Sequence, residues 1–171
     1  MPRSRVITGL IVDKVGNIRF TFSSLGFTPP DWENHLQLNG FRVSGSAREL
    51  LYRAPTAIVK GRVRNIVVRP GNLISDSDRS MRRLGKYAAE HNWQTASWED
   101  ACLSRIQFTD EQLRKMGLKS IIAMHPPIED SEGNPCLLGA NIHDSGGWLD
   151  AYVVDYNTEW SRHSGFLYVE R

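Results

Sequence analysis

Beyond Gly117 the chain carries a series of short apolar runs, residues 120–124, 137–142, 148–156 and 166–169, each joined to the next by turn-forming residues. Runs of this length read as strands. Connections this short favour pairing of consecutive strands in antiparallel order. The turns are explicit: Glu129-Asp130-Ser131-Glu132-Gly133-Asn134-Pro135, then Gly146-Gly147, then a polar segment ending at Gly165. An antiparallel β-meander is therefore expected over the C-terminal third.

Upstream, residues 6–12 and 18–22 are β-rich and flank Asp13-Lys14-Val15-Gly16-Asn17. Gly16 and Asn17 tolerate positive φ, which predicts a hairpin. Residues 23–31, with Gly26, Pro29 and Pro30, read as a loop, followed by a helical turn over 32–38. A short helix is expected over 46–53, capped by Ser44 or Ser46 and closed before Pro55. Residues 56–68 form a second β region, stopped by Pro70-Gly71-Asn72. Ser75-Asp76-Ser77-Asp78 predicts a helix running to about His91. Thr95 or Ser97 opens another through Ile106, and Thr109-Asp110-Glu111-Gln112 matches a capping box before Gly117. The class is α+β: a β-rich N-terminal lobe over 1–72, then a helical middle and the meander over 73–171, as two packed parts or one domain. The chain shows no internal repeat, low-complexity tract or coiled-coil heptad.

Charge is divided unevenly along this framework. Residues 1–93 hold fifteen Lys/Arg against seven Asp/Glu, whereas residues 94–171 hold six against twelve. The net charge of +2 hides this polarity. The division implies either an external electrostatic partner or basic and acidic surfaces that meet one another. Arg79, Arg82, Arg83 and Lys86 share a stripe at helical spacing, opposite Met81, Leu84 and Ala88. On an extended strand Lys60, Arg62 and Arg64 share one side, with Val59, Val63 and Val67 on the other. These seven cations are the expected phosphate-binding residues, because guanidinium groups donate paired hydrogen bonds to phosphate.

Two further constellations stand in the C-terminal half. Trp148, Tyr152 and Tyr156 fall on one side of an extended strand, with Asp150 between the first two. They read either as stacking residues or as core. His125, His143 and Asp144 lie at strand ends, and if those ends adjoin they offer metal ligands for assisted hydrolysis. His163 is a further histidine in that region. Cys102 and Cys136, 34 positions apart and without a CxxC, read as buried thiols in a reducing compartment. A cysteine nucleophile would need a neighbouring histidine.

No GxSxG elbow or P-loop is present. The short, interrupted apolar run at 6–12 suits neither a secretory signal nor a membrane span. The expectation is a cytoplasmic, non-enzymatic protein without cofactor, binding nucleic acid or another polyanion through its basic N-terminal side. The acidic half would face a protein partner or a second copy. The alternatives are a scaffold assembled through complementary charged faces and a metal-dependent hydrolase. Two β-rich segments before residue 72 and the phrase Lys60-Gly61-Arg62-Val63 also resemble, at the level of fold, small barrels that bind nucleic acid.

Overall fold

Apolar side chains alternate along the central strands so that both faces of a single sheet are buried. Ile66 and Val68 point one way and Val67 the other, and Ile121 and Ile122 divide in the same manner. The computed structural model describes residues 7–56 and 59–171. Val6 of the first expected strand, and Ala57 and Ile58 of the second β region, lie outside the described residues.

The elements follow in the order β1 (Ile7–Val12), β2 (Ile18–Ser23), α1 (Pro29–Leu38), β3 (Arg42–Val43), α2 (Gly45–Arg53), β4 (Val63–Pro70) and α3 (Met81–Glu90). They continue with α4 (Trp98–Gln107), α5 (Asp110–Lys115), β5 (Ser120–Ala123), β6 (Ile128–Glu129), β7 (Pro135–His143), β8 (Gly146–Val153) and β9 (Ser164–Glu170). The strands form one mixed sheet in the order β1-β2-β4-β9-β5-β7-β8-β3, with β6 beside β7. This is an α+β fold. The sheet has edges at β1 and β3, and is not the small barrel that the N-terminal phrases resemble.

Consecutive antiparallel pairing holds for β5, β7 and β8. β9 instead returns to lie parallel to β5 and antiparallel to β4. That return hydrogen-bonds the two halves of the chain into one sheet, with Ile66 opposite Val169.

One face carries Phe20, Phe22, Ile66, Leu138 and Leu167 under Trp32 and Leu36 of α1, Leu50 and Leu51 of α2, and Ala101 and Cys102 of α4. The other carries Val67, Ile122, Leu137, Phe166 and Tyr168 under Leu84 and Ala88 of α3. Each fully buried large apolar side chain contributes about 2 kcal/mol relative to exposure.

The starts of α1, α3 and β4 differ from expectation by three positions or more. α1 begins at Pro29, because Thr28 and Asp31 complete a capping box and proline suits the first helical turn. α3 begins at Met81 rather than Ser75: residues Asp76–Asp78 form a separate 3-10 turn, and the Ser80 hydroxyl accepts the Arg83 N–H as the cap. β4 begins at Val63, with Lys60 and Arg62 in or beside the turn before it.

Candidate functional site

The turn at residues 13–17 orders one arginine through a chain of contacts. The Asp13 carboxylate accepts the Asn17 backbone N–H (2.9 Å) and the Asn17 amide (3.2 Å). Asn17 Oδ1 then accepts from Arg69 Nη1 (3.1 Å). Arg69 shares its side of β4 with Val67, the side covered by α3. Its guanidinium lies over the Tyr87 ring, 4.3 Å from the centroid. Tyr87 in turn stacks on His91 at 3.9 Å.

Arg69, Asp78, Arg83, Lys86, Tyr87 and Glu90 line a cavity of about 240 Å³. The acidic residues pair only loosely: Arg83 Nε stands 3.9 Å from Asp78 and Lys86 Nζ 3.8 Å from Glu90, and all four side chains are more than half exposed. Exposed pairs of this kind contribute about 0–1 kcal/mol. Arg82, also exposed, extends the ridge one position before Arg83. The site can therefore accept an anion at the cost of two weak ion pairs.

On the other flank of α3 lies an open cleft of about 650 Å³, lined by Met81, Gly85, Pro127, Val154 and Tyr156, with Arg82 and Asp155 also contributing. Tyr156 is 76% exposed. Its carbonyl accepts the Arg82 N–H (3.3 Å), which fixes this segment against the start of α3.

The seven expected cations do not form one cluster. Arg82, Arg83 and Lys86 are exposed on α3, as their spacing predicts. Arg79 is outside the helix and buried, donating to the carbonyls of Ile74 (2.6 Å), Trp160 (3.0 Å) and Gly71 (3.4 Å) and pairing with Asp76. Arg64 is also buried, pairing with Asp100 and lying 3.7 Å from Glu99 at the start of α4. Burial pushes both carboxyls above the usual carboxylate range, and the Arg64 charge works against that shift. The side of β4 expected to face solvent is thus the side α4 covers. Lys60 and Arg62 are exposed. Lys60 lines a different cavity with Phe27 and Trp98.

The three aromatics separate as well. Tyr152 packs edge-on against Trp160 (5.6 Å) beside the second core. Trp148 donates to the Ser145 hydroxyl (3.2 Å) and lies under Arg42. Tyr156 falls beyond β8 and is the exposed member.

The expected metal ligands are not brought together. Antiparallel pairing sends the strand ends in opposite directions: His125 Nε2 accepts the Leu138 N–H (3.0 Å), whereas His143 stands five positions farther along β7, about 16 Å of extended chain. His125 is buried, and burial lowers its pKa to about 4. His143 Nε2 pairs with Asp150 (3.0 Å) rather than with Asp144. Burial would raise the Asp150 pKa, but its hydrogen bonds with His143 and Ser44 leave it lowered. His143, Asp144 and Asp150 share an open cavity of about 480 Å³. Among the described residues no group of three His, Cys, Asp or Glu side chains is placed to hold a metal ion. Both cysteines are buried and free. The Cys136 thiol donates to the Asn134 carbonyl (3.4 Å), and burial pushes the Cys102 thiol up.

Arg69 and Gly85 join the site without being among the residues that sequence patterning singles out. A signal for each does exist: the alternation that groups Val63 and Val67 continues to Arg69, and Gly85 is a glycine inside a helical pattern. No family model matches this chain, nor does any curated protein or solved structure. Among the described residues no helix is long and apolar enough to cross a membrane.

Proposed function

We propose that this chain binds nucleic acid by holding phosphate groups along the exposed ridge of α3. The observation that carries the reading is the convergence of Arg69, Arg83 and Lys86 on one cavity, with Arg82 beside it. Arg69 is delivered already oriented, by Asn17 on one side and the Tyr87 ring on the other. A phosphate offers Arg83 a charge-assisted, two-point contact that its loose partner Asp78 does not. Contacts of this kind position the protein without reading base sequence. Reversing Arg82 and Arg83 to glutamate tests the proposal by fluorescence anisotropy at about 50 mM salt. Affinity should collapse while the thermal midpoint stays in place; unchanged affinity would refute it.

A second reading is self-assembly. It is favoured by β1, an edge strand whose Leu10, Ile11 and Val12 are exposed. Pairing of two β1 edges would join two copies about a twofold axis. Sedimentation of wild type and of Ile11→Lys across a concentration range tests it, and a monomer throughout removes it.

A further inference from the structure

We infer that the nucleic acid is single-stranded, and that one unpaired base enters the cleft between α3 and the segment carrying Tyr156. This rests on the phosphate-binding reading of the α3 ridge and names the ligand class that the ridge serves.

Gly85 is the first observation. It occupies the interior of α3, where glycine is the poorest residue short of proline. A Cβ built at Gly85 meets no atom within 4 Å, so the packing of this protein does not require a glycine there. The position without a side chain lines the cleft beside Met81, one helical turn earlier on the same face.

The second observation is the chemistry of the walls. Met81, Pro127 and Val154 make an apolar lining, and the exposed Tyr156 also borders the cleft. An apolar slot with one available aromatic ring suits the flat face of a base, which stacks without regard to sequence. Asp155, also at the cleft, disfavours phosphate there but can accept a hydrogen bond from the exocyclic amine of a base.

Charge complementarity supplies the third. Arg82 borders this cleft, while Arg69, Arg83 and Lys86 outnumber Asp78 and Glu90 around the cavity on the other flank. A strand crossing α3 would lay phosphates on the ridge and place a base in the cleft. A base paired within a duplex is stacked between its neighbours and cannot enter.

The test is anisotropy with a labelled single strand of about 12 nucleotides, as DNA and as RNA, against a duplex of the same sequence. Wild type, Gly85→Leu and Tyr156→Ala are compared at one low salt concentration. Gly85→Leu places a side chain in the cleft and is a better helix former than glycine, so its thermal midpoint should be at or above that of wild type, and that of Tyr156→Ala should be unshifted. The expected result is a wild-type preference for the single strand, with both variants losing about tenfold on it and nothing on the duplex. Full single-strand affinity in both variants would overturn the base pocket while leaving the phosphate ridge intact. Absence of wild-type binding to every probe would overturn both.

Discussion

The Arg69 guanidinium lies 4.3 Å above the centroid of the Tyr87 ring, joining the end of β4 to α3. Neither residue is adjacent to the other in sequence, and neither belongs to the row of cations that helical spacing reveals. Their contact turns that row into a concave site.

Removing the ring should therefore weaken phosphate binding although Tyr87 need not touch the ligand. Tyr87→Ala is expected to lower affinity about fivefold, the equivalent of about 1 kcal/mol of cation–π contact. Tyr87→Phe keeps the face of the ring and should bind as wild type does. Anisotropy titration of the pair separates these outcomes.

Arg64 and Arg79 should act on stability instead. Arg64→Leu leaves Glu99 and Asp100 buried without their cation, and a loss of about 3–5 kcal/mol is expected in urea unfolding. Arg79→Ala takes their donor from the Ile74 and Trp160 carbonyls, at about 1–3 kcal/mol for each one that stays buried, while the Gly71 carbonyl keeps the Ile74 N–H. Where these variants fold, nucleic-acid affinity should be that of wild type. A loss of affinity at full stability would return both arginines to the binding site.

Stability should also depend on acid through His125. Its folded pKa of about 4 lies below the ordinary 6.5, so the unfolded chain binds the extra proton first as pH falls. Stability is therefore lost progressively from about pH 6.5 down to about pH 4, by about 2 kcal/mol at pH 5. Glu99 and Asp100 have the opposite sign. Their raised folded values favour the native state at low pH, and that contribution fades as pH rises above their ordinary values of 4.5 and 3.8. His125→Gln keeps an acceptor for the Leu138 N–H without the titration. Denaturant melts of the two proteins at pH 7 and pH 5 should differ by the histidine contribution alone.

Features set by neighbouring residues were legible in the sequence. Thr109 caps its helix where the capping box places it, Ser44 is the cap of the two serines that sequence offers, and the turn at Gly16-Asn17 joins the first two strands. Features set across the sheet were not. That Arg64 is buried depends on α4 arriving with Glu99 and Asp100, 35 or more positions later, and a strand alone carries no sign of it. The two-residue β3 is too short to have a period. Arg79 fits the helical stripe by spacing, but Ser80 is the stronger cap and leaves it outside. The exposed cations of α3 were legible because a single amphipathic helix decides its own outward face.

The most direct measurement is the salt dependence of affinity for a single strand, from about 50 to 300 mM, in wild type and in Arg83→Gln/Lys86→Gln. If these side chains hold phosphates, log affinity falls linearly with log salt in wild type. The double variant then shows a slope shallower by about 1.4, or about 0.7 for each phosphate no longer neutralised. Equal slopes in the two proteins, or no binding by wild type at the lowest salt, would contradict a phosphate-binding role for α3.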